Sequence, residues 1–332
     1  MEKQGISMRK ALKCLMLTTI LTIAFLSYAQ AAGVKLRLAA SASATDARAI
    51  TMEEVFAPAV ADFATYEGHY GSSLFKQGTE LEAISRGNLE MTIASAQELA
   101  EFFPEFSIFA AGYVHRDAAH QKAVFNADFM QPLKQKVEDE LGVKLLAVSY
   151  LGKRVLNMRT PDAIMTPEAL KGAKLRMPGS EAWLFLGKAL GANPAPVPYA
   201  ETYTALQTGA VDGQDNPLPN TVSMKFYEVT KSITLTNHLV DLNYLAVSKK
   251  VWNNLSDKDK GKLQAAADKT ADAISAAIQE KESSLRTFLE GEGLKFHEPN
   301  LDAFRTRVQK AYLESDYAKN WVPGMLDKIN AL

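Results

Sequence analysis

Strand-like and helix-like segments alternate along most of this chain of 332 residues. Residues 34–38 and 89–95 have the β-branched and apolar pattern of strands, and residues 52–66 form an amphipathic stretch typical of a helix. Residues 80–86 and 133–141 are then predicted as helices and residues 143–149 as a strand. Such an order predicts an α/β fold, with helices covering the faces of mixed sheets.

The second half of the chain repeats this alternation. A short strand at 174–177 is followed by a helix at 180–190, which Gly191 ends. A further helix is predicted at 201–209, and residues 213–217 are predicted to form a loop. From Ser256 to about residue 290 the chain has no proline, and Asp259 is placed to complete a cap with Ser256. We therefore expect one unusually long helix.

The length of the chain predicts two lobes, because roughly 300 residues exceed what one hydrophobic core usually organises. No glycine–serine or proline-rich linker separates two halves, so several short chain crossings between lobes are expected. We place lobe I at 32–153 and 242–281, and lobe II at 154–241 and 282–332. The expected architecture is two α/β lobes with the long helix bracing both of them.

The N-terminus has the pattern of a cleaved signal peptide. Arg9, Lys10 and Lys13 precede an apolar run at 15–26, and Ala29-Gln30-Ala31 is a small-x-small cleavage site. The run is shorter than the ~20 residues that span a bilayer, which argues against the alternative of a retained membrane anchor. We expect residues 1–31 to be removed, Ala32 to become the N-terminus, and the mature protein to be periplasmic.

Composition excludes several kinds of chemistry. The sole cysteine, Cys14, lies in the predicted signal peptide, so the mature protein should have neither a thiol nor a disulfide. Residues 1–31 hold four of the 37 basic residues and one of the 38 acidic ones, which leaves a mildly acidic chain with no basic excess for nucleic acid. No histidine pair has i,i+4 spacing, and no phosphate-binding or dinucleotide motif occurs. We expect no metal, no cofactor and no catalytic residue.

Arg176 is the strongest candidate for a binding residue. It lies in the strand-like segment 174–178 between apolar neighbours, where a half-buried guanidinium would need an anionic partner. Its planar fork suits a carboxylate, which it can bind through two parallel hydrogen bonds. An internal salt bridge to Asp or Glu would explain the same pattern, and the residues alone leave both readings open.

Longer motifs follow each other in a characteristic order. They are LKGAKLRMP at 170–178, LGANP at 190–194, YTALQTGAVDGQDNP at 203–217, KFYEV at 225–229 and TNH at 236–238. Residues 78–88 and 103–105 in the first lobe fit the same pattern. With these motifs the chain resembles, over essentially its whole mature length, the DctP-type substrate-binding proteins of tripartite ATP-independent periplasmic (TRAP) transporters. The resemblance implies a two-lobed periplasmic binding protein fold with a long helix bracing both lobes.

The resemblance implies roles for particular residues. In such proteins the strand arginine, here Arg176, binds the substrate carboxylate, and the asparagine of the following loop, here Asn216, completes that contact. Arg154 fits the position of a second arginine, and Tyr199 that of an aromatic side of the site. Motif position places Ser41, Gln77 and Ser95 at ligand-facing points of lobe I.

Two further positions bear on the ligand. Trp183 lies in the first turn of the helix after the arginine strand, where it could stack on a ligand or simply pack into the core. Glu98 stands where some acidic-sugar binders carry an arginine, which argues against a sialic-acid-like ligand. A lone Lys76 is more simply explained as a solvated surface residue than as a second anion site.

These expectations combine into one function. The chain is expected to close around a small organic acid and deliver it to TRAP membrane subunits, without itself breaking bonds. A periplasmic enzyme that uses Arg176 to hold an organic acid, and a receptor domain for a sensor kinase, are the alternatives. The acid is left open among dicarboxylates, sugar acids such as uronates, and aromatic or hydroxy acids.

Overall fold

The computed structural model describes residues 33–332, apart from the side chain of Ser283. The predicted signal peptide therefore lies outside the described residues. Within them, one sheet has the strand order β2-β1-β3-β8-β4-β7-β5-β6, and β9 pairs with β8 beside this path. The strands are β1 Val34–Ala39, β2 Ala64–His69, β3 Met91–Ser95, β4 Val143–Met158, β5 Lys174–Met177, β6 Asn193–Pro196, β7 Gly213–Asn216, β8 Ser232–Ser248 and β9 Lys295–His297.

Two long antiparallel strands join the two lobes. β4 has 16 residues and β8 has 17, and they pair along most of their lengths. On one side of this pair β1, β2 and β3 form a half-sheet, and on the other side β5, β6 and β7 form a second one. The predicted lobe boundaries near Lys153 and Asp241 lie within these strands, where Gly152 pairs with Asp241. The exact division of the chain stays a prediction.

Helices cover both half-sheets. The α-helices are Ala47–Thr51, Ala57–Val60, Glu80–Ser85, Ala96–Ala100, Ala118–Asn126, Gln131–Lys136, Glu181–Leu190, Thr202–Thr208, Leu218–Ser223, Lys249–Asn254, Asp257–Gly291, Leu301–Leu313, Asp316–Asn320 and Met325–Asn330. π-Helical turns lie at Met52–Phe56 and Val137–Leu141, and 3₁₀ turns at Pro104–Ile108, Asp128–Met130, Pro167–Leu170, Tyr199–Glu201 and Phe226–Glu228. Within residues 33–332, no helix combines the length and the apolar character that crossing a bilayer requires.

The long helix is confirmed as Asp257–Gly291, 35 residues, with Ser256 accepting a hydrogen bond from the Asp259 backbone N–H at its start. Along its length it contributes to three hydrophobic clusters. Leu263 packs in the cluster beneath β1, Ile274 and Ile278 pack where β4 crosses between the lobes, and Leu289 packs beside β9. The helix thus contacts both halves of the molecule, as predicted.

Two local expectations were wrong, one strand is longer than predicted, and one long strand was missed. Residues 64–66 begin β2 instead of ending a helix, and the predicted loop at 213–217 contains β7. The strand predicted at 143–149 continues to Met158, and β8 was not predicted as a strand at all. β7 shows the reason, because its four residues Gly-Gln-Asp-Asn are all buried between β4 and β5 although none of them is a typical strand former.

Candidate functional site

A small cavity of about 40 Å³, partly open to solvent, lies between the two half-sheets. All eight residues predicted as ligand-binding line it: Ser41, Gln77, Ser95, Arg154, Arg176, Trp183, Tyr199 and Asn216. Glu98 also lines the cavity. So do seven residues that the sequence did not single out: Arg48, Ile93, Leu151, Pro178, Asn220, Asp241 and Asn243. Lys76 is exposed and is not among the lining residues.

Arg176 is a buried cation without a carboxylate partner. Its side chain is only 1% exposed, and Nε donates to the carbonyl oxygen of Val197 at 2.8 Å. Its Nη2 is buried and has no hydrogen-bond partner among the described residues, and no carboxylate of that part of the chain forms a salt bridge with it. Burial lowers the pKa of Arg176 to about 10, with Asp215 opposing that shift and Arg154 adding to it. An anion in the cavity would satisfy this group.

Arg154 is in the opposite situation. Its Nε donates to Asp241 Oδ2 at 2.7 Å, and its Nη1 donates to the Asp215 carbonyl at 2.7 Å and to Asp215 Oδ2 at 2.9 Å. Burial acts to lower the pKa of Arg154, but the two aspartates raise it above its ordinary value. Two internal carboxylates already neutralise this arginine, so the structure favours a supporting role over direct recognition of the ligand.

Trp183 packs inside the protein and also lines the cavity, and its stacking on a ligand stays a prediction. The indole is 2% exposed and lines the cavity, yet the guanidinium of Arg154 lies over its ring, 4.1 Å from the centroid. The ring therefore packs against a side chain of the protein, and that cation–π contact fixes the arginine in turn.

A third arginine was not found from the sequence. Arg48 is buried, donates from Nε and Nη2 to the two carboxylate oxygens of Asp46 at 2.9 and 2.8 Å, and donates from Nη1 to Asn243 Oδ1 at 3.0 Å. Asp46 also caps the helix that starts at Ala47 by accepting from the Arg48 backbone N–H. The sequence signal that could have identified Arg48 is an aspartate at the start of a helix with an arginine two residues later. Asn243 lies on β8, 195 positions further along the chain, so no local pattern could reveal this contact.

Asn216 is held by a series of amides. Its Nδ2 donates to Gln214 Oε1 at 2.6 Å, and Gln214 Nε2 donates to Asn157 Oδ1 at 3.2 Å. Asn157 Nδ2 in turn donates to Thr230 Oγ1 at 2.8 Å. Because a side-chain amide has two N–H donors, Asn216 keeps one for a ligand beside Arg176. This polar series explains why the buried β7 carries such polar residues.

Hydrogen bonds between the two lobes close the cavity. Gln77 Oε1 accepts from the backbone N–H of Tyr199 at 2.9 Å. Asn220 Nδ2 donates across the cavity to Asp46 Oδ2 at 3.4 Å, and within its own lobe to Tyr199 Oη at 3.0 Å. Gln77 and Tyr199 were both predicted to face the ligand, and the structure also gives them a part in holding the lobes together.

Ser95 and Glu98 form a capping box. Ser95 Oγ accepts from the Glu98 backbone N–H at 3.1 Å, while Glu98 Oε2 accepts from the Ser95 backbone N–H at 2.8 Å. Burial raises the pKa of the Glu98 carboxyl, against these hydrogen bonds, and Asp241 raises it further. In the part of the chain that the structure describes, no cluster of three or more His, Cys, Asp or Glu side chains is placed to hold a metal ion.

Comparison with known proteins agrees with this geometry. The model of the bacterial extracellular solute-binding protein family 7, DctP, matches residues 64–319. A TRAP periplasmic solute-binding protein from Roseobacter denitrificans, solved with bound 3-deoxy-D-manno-oct-2-ulosonic acid (KDO), is 58% identical, with a TM-score of 0.89 over 90% of this chain and 99% of that one. One from Polaromonas, bound to D-erythronate, is 26% identical, with a TM-score of 0.83 over 90% and 99% of the two chains.

A curated relative points the same way. The sialic acid-binding periplasmic protein SiaP of Vibrio cholerae is 35% identical over 236 residues, which cover 71% of this chain and 73% of that protein. These relatives are periplasmic binding proteins and not enzymes by name. The chain belongs to the DctP family of bacterial extracellular solute-binding proteins, the receptors that bind small carboxylates for the membrane subunits of TRAP transporters.

Proposed function

We propose that this receptor binds a hydroxylated sugar acid, in particular an ulosonic acid of the KDO type, with its carboxylate on Arg176. The single observation that carries the proposal is the buried Nη2 of Arg176, which has no partner among the described residues in a cavity lined by polar side chains. The solved structure that is 58% identical to this chain holds KDO, which has one carboxylate and several hydroxyl groups.

Arg176 provides most of the carboxylate recognition in this proposal. Its planar guanidinium donates to the ligand while Nε stays on the Val197 carbonyl, so the group is already oriented before the ligand arrives. The second N–H of Asn216 adds a donor to the same carboxylate. In a cavity from which most water is excluded, this charge pair is much stronger than in bulk water.

Binding and closure are coupled in this mechanism. The ligand contacts residues from both lobes at once, so its binding energy favours the closed arrangement that the Gln77–Tyr199 and Asp46–Asn220 contacts hold together. β4 and β8 are the chain crossings about which the lobes would turn, and both carry register shifts there, between Tyr150 and Gly152 and between Arg154 and Leu156. The membrane subunits then distinguish the liganded shape from the open one.

Small-angle X-ray scattering tests the closure. A saturating ligand is expected to reduce the radius of gyration relative to the ligand-free protein. An unchanged scattering profile with binding confirmed by calorimetry would show a preformed pocket and remove closure from the mechanism.

The periplasmic location and the processed N-terminus are part of the same proposal. The periplasmic relatives support export, and Ala29-Gln30-Ala31 supports cleavage before Ala32. Intact-mass analysis of protein recovered from the periplasm tests both statements. A mature mass that still includes Cys14 would contradict them.

The ligand itself is tested by native mass spectrometry of the purified protein, followed by calorimetric titration with KDO, N-acetylneuraminate, D-glucuronate and succinate. We expect KDO to bind most tightly. Glu98 predicts weak binding of the sialic acid, and that expectation stays a prediction. Tighter binding of succinate than of any sugar acid would contradict the proposed ligand class. The relatives give no support to the enzyme or the sensor alternative, so neither is proposed.

A further inference from the structure

The charges around the cavity leave room for one ligand carboxylate. Three arginines line it, but Arg48 is already paired with Asp46 and Arg154 with Asp215 and Asp241. Arg176 alone among these three has no carboxylate partner in the described part of the chain. A ligand with a second carboxylate would therefore have to place that group where no free cation is available.

The lobe I side of the cavity is acidic. Glu98 follows β3 in lobe I, whereas Arg176 lies on β5 in lobe II, and Asp241 lies on β8 between them. The buried Glu80 lies close to Glu98. Burial raises the pKa of Glu80 to about 8, and the charge of Glu98 is the next largest cause of this rise. A second ligand carboxylate on this side would lie beside the buried carboxylates of Glu98 and Asp241, and this repulsion between like charges, little screened by water, costs binding energy.

The same region offers acceptors for hydroxyl groups. Asn220 is 2% exposed, and its Nδ2 is committed to Tyr199 Oη and Asp46 Oδ2, which fixes the direction of the amide. Its Oδ1 is buried and has no partner among the described residues. A buried acceptor of this kind needs a donor, and a hydroxyl group supplies one where a carboxylate cannot. Glu98 uses Oε2 for the Ser95 N–H, which leaves Oε1 for a second hydroxyl.

We propose that Glu98 is a specificity-determining residue, which restricts the receptor to acids that carry one carboxylate and a hydroxyl-bearing remainder, and that Asn220 accepts a hydrogen bond from one of those hydroxyls. This inference rests on the proposed function, because it takes the ligand carboxylate to lie on Arg176. It adds the reason why a dicarboxylate of the same length is rejected.

The test uses matched pairs of acids, measured by calorimetry on the whole mature protein. D-Erythronate with meso-tartrate, and D-gluconate with D-glucarate, differ within each pair only in whether the last carbon is a hydroxymethyl group or a carboxylate. KDO is titrated in parallel. The variant is Glu98→Gln, which removes the charge but can keep the capping box with Ser95. Glu82→Gln, on an exposed helix position, is the control.

The parent and Glu82→Gln are expected to bind the monocarboxylate of a pair and to discriminate against the dicarboxylate. In Glu98→Gln the affinity for at least one dicarboxylate should rise about tenfold or more relative to its partner acid. Asn220→Leu should lose at least about tenfold in affinity for KDO, because a ligand hydroxyl loses its acceptor.

The contrary outcomes separate two failures. If the parent binds KDO but Glu98→Gln gains affinity for neither dicarboxylate, this inference is wrong and the proposed function stands. The inference is equally wrong if the parent binds a dicarboxylate as tightly as its partner. If the parent binds none of the five acids, the proposed function fails, and this inference fails with it.

Discussion

Replacing Arg176 by lysine separates carboxylate recognition from simple charge. In the structure Arg176 uses Nε for the Val197 carbonyl and still has a buried Nη2 for the ligand. A lysine ammonium is a single point, so it would have to exchange one of these partners for the other and could not fix the plane of a carboxylate. Losing a buried charge-assisted pair costs ~3–5 kcal/mol, or on the order of 10²–10³-fold or more in affinity.

Arg154 is the matched control, because it lines the same cavity with its charge already neutralised. Arg154→Lys is expected to lose less affinity than Arg176→Lys. Substitution by methionine should affect the free energy of unfolding in the opposite order, with the larger loss at Arg154. Arg154→Met leaves Asp215 and Asp241 buried without their cation and should cost ~3–5 kcal/mol. Arg176→Met removes an uncompensated buried cation, so the ligand-free protein should be as stable as the parent or more so.

Calorimetric titration with KDO and urea unfolding of the ligand-free proteins give both measurements. If Arg176→Lys bound within about threefold of the parent, under ~0.7 kcal/mol, the guanidinium would be structural and the carboxylate would have to bind elsewhere. A large loss of stability in Arg176→Met would contradict the reasoning in the same way, since it would reveal an internal partner.

Three other changes test the structure around the cavity. Burial and the Glu98 charge raise the pKa of Glu80 to about 8, so the folded state keeps a proton that the unfolded chain has released, and the stability from this group is lost as the pH rises from about 4.5 to about 8. In thermal melts at pH 5 and pH 8, the stability of Glu80→Gln should therefore depend less on pH than that of the parent. Identical pH slopes would contradict this. Gly152 has φ +125°, and a Cβ there would lie 2.5 Å from Pro217 Cβ, so Gly152→Ala should lower the free energy of unfolding in urea by ~1–3 kcal/mol or more. Gly172→Ala, with φ +85° and open space around the Cβ, should lower it less. Tyr150→Phe removes the hydrogen bonds from Oη to Glu282 on the long helix, both at 2.9 Å, and should cost ~1 kcal/mol; no change in the urea midpoint would show that water replaces the contact.

Local signals in the sequence were sufficient for part of the fold and of the site. The long helix could be predicted because its cap at Ser256 and the absence of proline are properties of neighbouring residues. Arg176 stood out because a charged residue between apolar ones in a short strand is unusual, and the structure finds it buried without a carboxylate partner in the described chain. Its role in binding stays a prediction until it is measured.

The parts of the site that could not be predicted depend on contacts between residues far apart in the chain. Ser95 and Asn243 are paired neighbours on β3 and β8, although 148 positions of chain separate them. The contact between Arg48 and Asn243 spans 195 positions and joins the helix Ala47–Thr51 to β8. β7 escaped prediction because its polar residues are buried for their hydrogen bonds instead of their apolar surface, which removes the periodic pattern that identifies a strand.

The three arginines of the cavity show how one chemical group can serve both structure and recognition. Arg48 and Arg154 are each paired with carboxylates of the protein itself: Arg48 with its near neighbour Asp46, and Arg154 with the distant Asp215 and Asp241. Such pairs offset most of their own cost of burial and leave little attraction for a ligand. Among the described residues Arg176 has no such carboxylate, so its burial carries a desolvation cost that the carboxylate of an acid can remove. If the lobes close as proposed, this gain is largest in the closed arrangement, which is the condition for a receptor whose shape reports its occupancy.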